Sequence, residues 1–313
     1  MLENFQVALG AVVPLFILMG IGVIVKKYHW LADEELVHVN RMVFKVFFFC
    51  MMFYNIYTMD VARSVRPYLM LYGFLGVFIV WGLAMLLVPR IEPENYRRGA
   101  MVQAIFRSNF VLIGIPLVGN IFGDEYLAIP TMMIAVVVPI YNVLAVATLE
   151  TFRGSRFDLL GIIRGIFKNP MIMGGILAVI FLLLGIKLPA AVLKPVGQVS
   201  AATTPVALII LGASFKGGSF HHHLRQLVLC VSTRLVIVPA AVLGVAMVLG
   251  FRGVDLVTLL TIFATPCAVA SFAMAQQMGS DAELAGNCVV YTSALSCLTI
   301  FLWVLGLKTF GMF

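Results

Sequence analysis

Apolar residues arrive in ten runs parted by short clusters of charge, Gly and Pro, at 5–25, 43–58, 67–89, 99–122, 126–149, 159–186, 195–215, 224–250, 254–278 and 284–307. Most are near the ~20 residues that a helix needs to cross a bilayer, with slack for tilt. The pattern therefore predicts an all-α membrane protein of ten transmembrane helices. The second run is short and carries Lys45, whose long side chain can reach the membrane edge. Ahead of it, KKYHWLADEELVHVNR spaces Leu31, Leu36, Val37 and Val39 as a short interfacial helix would.

Two runs do not look like plain lipid-facing helices. The fourth holds Arg107, Ser108 and Asn109 in its middle, then Gly114 and Pro116. Arg107 lies about 15 Å of helical rise beyond Arg97, roughly half the hydrocarbon thickness. A charge at that depth costs at least ~2.5–3.5 kcal/mol unless it meets water, a partner or a ligand. Pro116 has no N–H to donate, so the helix is expected to break or kink just before it. The ninth run, TLLTIFATPCAVASFAMAQQMGSD, has Pro266 at mid-membrane with Ser271, Gln276 and Gln277 after it.

The two interrupted runs fall at matching places in the two halves. At one constant offset, Ile105-Phe106 matches Ile262-Phe263, Asn109 matches Pro266, and Asp124 with Leu127-Ala128 matches Asp281 with Leu284-Ala285. Five spans per half is an odd number, so equivalent spans run in opposite directions. That predicts two inverted five-helix repeats, 1–155 and 156–313, with broken crossing helices four and nine.

Composition agrees. Of 313 residues, 62% are apolar and 11% charged, and the mean hydropathy is +1.06. Soluble domains are typically about a quarter charged. The net charge of +7 does not suggest nucleic acid, because it sits in short loops between apolar runs. Lys26, Lys27, Arg41, Lys45, Arg90, Arg97, Arg98, Arg153, Arg156, Arg164, Lys168, Lys216 and Arg225 fall on one alternate set of loops; the other set holds far fewer. The first set is expected on the cytoplasmic side, which puts both termini outside. The N-terminus has Glu3 and no basic segment, so a cleaved signal peptide is not expected. The five cysteines lie mostly within apolar runs without metal-ligand spacing and read as membrane-core residues.

Four segments carry a family resemblance. FRSNFVLIGIPLVGNIFG resembles the N-x-x-x-x-G-x-P-L signature of the auxin efflux carrier family. KNPMIMGGILAVIFLLLGIKLP, TTPVALIILGASF and TPCAVASFAMAQQMGSDAELA are similar to that family's sixth, seventh and ninth spans. The resemblance covers essentially the whole chain. It implies a fold related to bile-acid/sodium symporters and sodium/proton antiporters. Spans one, two, six and seven would form a scaffold that usually dimerises, and spans three to five and eight to ten a moving transport bundle. It also implies small organic acids such as malate or malonate, or auxin-like carboxylates, as substrates. The large central loop of plant members is absent, which points to the bacterial type.

At a crossing of broken helices, each second half-helix turns free N–H groups and a dipole equivalent to about +0.5 charge toward the crossing. Arg107 adds a full charge, and Ser108, Asn109, Asn142, Ser271 and Gln276 add hydrogen-bonding groups, so a small carboxylate is the expected substrate. Gly114, Pro116 and Pro266 are expected to shape the crossing. Arg234 is also deep in a span, and pairing with helix-end carbonyls or a lipid headgroup is its expected role. No Asp or Glu lies in the middle third of any span, which argues against a buried proton relay and leaves Na+, H+ carried on the substrate, or uncoupled flux open.

The expected function is thus secondary transport of small organic anions across the cytoplasmic membrane by elevator-type alternating access, as a homodimer, without cofactor or structural metal. A sodium-coupled bile-acid-type symporter and a non-transporting anion sensor are the alternatives. A membrane enzyme is not expected, since neither an H-E-x-x-H motif nor an embedded carboxylate pair occurs. The His221-His222-His223 run reads as a solvated loop rather than a metal site.

Overall fold

The computed structural model describes residues 2–58, 66–154, 159–215 and 223–313. These residues are almost entirely helical. In order the helices are α1 (Leu2–Lys27), α2 (Asp33–Tyr57), α3 (Pro67–Ile91), α4 (Asn95–Phe106), α5 (Phe110–Phe122), α6 (Ala128–Arg153) and α7 (Leu159–Lys168). They continue with α8 (Pro170–Leu183), α9 (Ala190–Ser214), α10 (Leu224–Val248), α11 (Gly253–Ala264), α12 (Ala270–Met278) and α13 (Ala282–Thr309). Six of them, α2, α3, α6, α9, α10 and α13, are long and apolar enough to cross a membrane, and α5, α8 and α11 are shorter apolar helices.

Three boundaries differ from the sequence expectation. Residues 33–42 are not a separate interfacial helix. A π-turn at Val43–Phe47 joins them to 48–57 as one helix, α2, with Leu36, Asn40, Val43 and Phe44 buried together. The sixth apolar run is split. Asn169 accepts a hydrogen bond from the Met171 N–H at 2.9 Å, and Pro170 occupies the first helical position, where its missing N–H costs nothing. In the fourth run the break falls at Arg107–Asn109, not at Pro116. Pro116 lies inside α5, which continues through it.

α3 illustrates how the helices divide between lipid and protein. Leu71, Leu75, Ile79, Leu83 and Leu86 form an exposed stripe, whereas Leu69, Gly73, Gly76, Val77, Val80, Ala84 and Val88 are buried. Against lipid, a buried face gains from close packing rather than from leaving water, so small residues matter at contacts. A Cβ on Gly22 of α1 would run into the Ile209 carbonyl of α9, and one on Gly212 of α9 into the Met19 carbonyl of α1. A Cβ on Gly174 of α8 would meet the Phe49 carbonyl of α2. Backbone cannot step aside as a side chain can. Gly212→Val is therefore expected to cost about 1–3 kcal/mol by overpacking, read as a lower Tm in detergent. Gly20→Ala on the same helix, with nothing within 4 Å of its added carbon, is the matched neutral control.

Candidate functional site at the helix crossing

α4 and α11 both end in extended backbone, and α5 and α12 start beyond it. The two breaks lie antiparallel. The Asn109 N–H donates to the Pro266 carbonyl at 2.9 Å and the Ala268 N–H to the Arg107 carbonyl at 3.3 Å, with Ser108 paired to Cys267. Pro266 fits because the gap asks its carbonyl to accept and asks nothing of its absent N–H. The Cys267 N–H is taken by the Thr292 hydroxyl of α13 at 3.0 Å. A Cβ on Gly114 of α5 would meet the Thr261 side chain of α11, so this glycine sets how closely the two broken elements approach.

The crossing separates its helix ends by sign. Arg234, fully buried in a π-turn at Thr233–Ile237 of α10, reaches the carbonyl ends. Its Nε donates to the Thr265 carbonyl at 2.8 Å, Nη2 to the Ile262 carbonyl at 2.9 Å, and Nη1 to the Ile105 and Phe106 carbonyls at 3.1 and 3.3 Å. One guanidinium thus satisfies acceptors at the C-termini of both α4 and α11 and faces both negative dipole ends. The expected pairing of Arg234 with helix-end carbonyls is what the structure has.

The N-terminal ends face the other way, onto a cavity of about 1240 Å3. Ser108 and Asn109 from one break, and Ala268, Val269 and Ala270 from the other, line it together with Arg107 and Asn142. Arg107 is 4% exposed. Its Nη2 donates to the Asn142 Oδ1 at 2.6 Å, and Nη1 lies 3.4 Å from the Gln103 Oε1 and against the Met274 sulfur. Among the described residues no carboxylate pairs with it, and none lines the cavity. The Asn109 Nδ2 is buried without a hydrogen-bond partner. The Ser108 hydroxyl is 3.0 Å from that of Tyr141, which donates to the Ile262 carbonyl at 3.3 Å.

The structure gathers four of the six expected polar residues, Arg107, Ser108, Asn109 and Asn142, at this cavity. Ser271 is buried one residue beyond the lining at the start of α12. Gln276 lies further along α12, bonded to Asn40 and facing a different, smaller cavity. Pro116 lines the large cavity from inside α5.

The profile of a family described as "Membrane transport protein" matches residues 7–159 and 155–304, nearly the whole chain. The chain belongs to this family. It is the auxin efflux carrier family that the four motifs resemble. The chain is similar to an uncharacterized transporter of Methanocaldococcus jannaschii, 24% identical over 95% of this chain and 98% of the relative. An uncharacterized transporter of Methanothermobacter thermautotrophicus is also 24% identical, over 96% and 98%. Both relatives are archaeal, so the bacterial type is not what these matches speak to.

In this membrane transport protein several cavity residues escaped the sequence reading. Tyr54 and Asn55 come from α2, and Gly197, Ser200, Ala201 and Thr204 from α9. The α9 set follows the i, i+3, i+4, i+7 rhythm of one helix face, a signal that the apolar run around it hides. His221 and His222 lie outside the described residues. His223 is not solvated as expected: it is 7% exposed, with Nε2 at 3.4 Å from the Asp281 Oδ2. Among the described residues no group of three His, Cys, Asp or Glu could hold a metal ion.

Proposed function

We propose that this transporter is a secondary carrier of small organic anions in the cytoplasmic membrane. One observation carries the reading: Arg107 is buried at the wall of a large cavity with no carboxylate partner among the described residues, beside the N-termini of α5 and α12. A buried cation without a counter-charge favours an anionic ligand, and helix N-termini add to the same field. Arg107, Ser108, Asn109 and Asn142 would hold the carboxylate, with the unpaired Asn109 amide as a ready donor. The remaining wall, neutral and partly apolar, would take the body of the acid.

The architecture in this proposal is ten crossings in two inverted repeats, 1–155 and 156–313, with both termini outside. Matched helix lengths support it: α3 and α10 have 25 residues each, and α4 and α11 have 12 each. α1, α2, α7, α8 and α9 would form the scaffold, dimeric in the membrane, against which the remaining helices move in an elevator-type exchange.

Reconstituted protein tests this with a panel of mono- and dicarboxylates under imposed sodium and pH gradients. Saturable uptake of at least one acid above empty vesicles is expected. Uptake equal to empty vesicles across the panel overturns the proposal, and tight binding without flux marks a sensor instead. Strict sodium dependence would select the symporter alternative.

A further inference from the structure

A second, smaller cavity of about 240 Å3 lies on the same seam between helices as the large one. α2 lines the large cavity with Phe48 to Asn55 and the small one with Asp33 to Val37. Asn55 and Leu36 are separated by about 28 Å of helical rise, so the two cavities open toward opposite ends of the helices. α9 contributes Leu208 to the first and Leu211 to the second. On that wall only about one helical turn, roughly 5 Å, parts them. Opposite, α12 touches the large cavity with Ala270 and the small one with Phe272 and Gln276.

One polar bond spans this thin septum: the Asn40 Nδ2 of α2 donates to the Gln276 Oε1 of α12. Asn40 is fully buried, and its Oδ1 has no partner. Turning the Asn40 amide over alone would set its Oδ1 against the Gln276 Oε1, acceptor against acceptor, so this orientation is the one that makes the bond. A buried amide left half satisfied is a poor permanent weld. Water reaching the seam would satisfy the free atom at once, which lowers the cost of separating the walls. Gly286 of α13 sits against the Leu211 and Phe272 side chains, an apolar contact beside the polar bond that can part without breaking a hydrogen bond of its own.

We infer that the Asn40–Gln276 hydrogen bond is the gate that closes the transport path on the face opposite the large cavity. The two cavities are then one path, interrupted at the septum. This rests on the carrier reading above. The walls it joins are those assigned there to the scaffold and to the moving helices.

The test uses a variant of the full chain with Cys50, Cys230, Cys267, Cys288 and Cys297 replaced, carrying Leu211→Cys as a reporter. Leu211 is 1% exposed at the small cavity. In proteoliposomes a water-soluble maleimide is expected to label it at least fivefold faster when Asn40→Ala is added, and likewise with Gln276→Ala. Two separate gate variants guard against one that folds poorly. In the same reporter-free background, an Asn40→Cys/Gln276→Cys pair is expected to lose at least nine-tenths of its anion flux on oxidation and to regain it with dithiothreitol. Labelling rates unchanged within twofold in both alanine variants overturn the gate. So does a fully oxidised pair with undiminished flux. Absence of flux in the unmodified protein overturns the carrier reading, while the labelling rates still decide the gate.

Discussion

Arg107→Gln is expected to cut carboxylate flux at least thirtyfold while the protein stays folded and monodisperse. Glutamine keeps a polar amide on the same stem, two bonds shorter than the guanidinium nitrogen that reaches Asn142, and removes the charge. Truncating one partner of a buried, hydrogen-bonded charge pair costs about 2–5 kcal/mol, and each 1.4 kcal/mol is a factor of ten. Arg107→Lys is expected to rescue little. The native side chain uses separate nitrogens toward Asn142 and Gln103, and an ammonium on a single stem cannot reproduce a planar fork. The measurement is initial uptake against concentration in proteoliposomes, with the carboxylate that the panel identifies. An Arg107→Gln protein within threefold of the unmodified rate would show that the anion does not depend on this charge.

The second large effect separates the two buried arginines. Arg234→Met is expected to destabilise the fold by about 3 kcal/mol or more, because it strips a charged donor from four carbonyls that no water can reach. Methionine fills much of the same volume, so the loss reports the missing hydrogen bonds and charge rather than a cavity. The readout is thermal unfolding in detergent, alongside the fraction that elutes as a single species. A Tm within two degrees of the unmodified protein would mean that the carbonyl ends find other partners. The contrast is the point: Arg107→Gln should fold and fail to transport, whereas Arg234→Met should fail to fold well at all.

Both arginines were visible in the sequence as deep charges, and the expectation for each differed for a physical reason. Arg107 stands beside Ser108 and Asn109 at mid-run, which marks a polar site there, although the expected break lies just before Pro116. The break lies about two turns before Pro116, although Pro116 carries the stronger local signal. In a membrane helix a proline costs only one internal bond, and packing against Thr261 and its neighbours carries α5 through it. Pro266, by contrast, lies in the gap itself. The join at Val43–Phe47 was not legible, since a π-turn adds one residue without any marker of composition. The split at Asn169-Pro170 was there to be read as a cap followed by proline at the first helical position. Gln276 is expected at the site only as a polar residue that follows Pro266 in the ninth run. Position after a proline does not reveal that Ala270 at the start of α12 faces the large cavity while Phe272 and Gln276 face the small one.

The antiparallel pairing of the two breaks limits how the molecule can move. With Asn109 bonded to Pro266 and Ala268 to Arg107 through main-chain atoms, neither tip can slide along the other without breaking both pairs and leaving the carbonyls of the buried Arg107 and Pro266 without these donors. Any displacement of α5 at its tip must drag α12 along. The two tips therefore keep one fixed spacing toward whatever rests against them, however the helices around them shift.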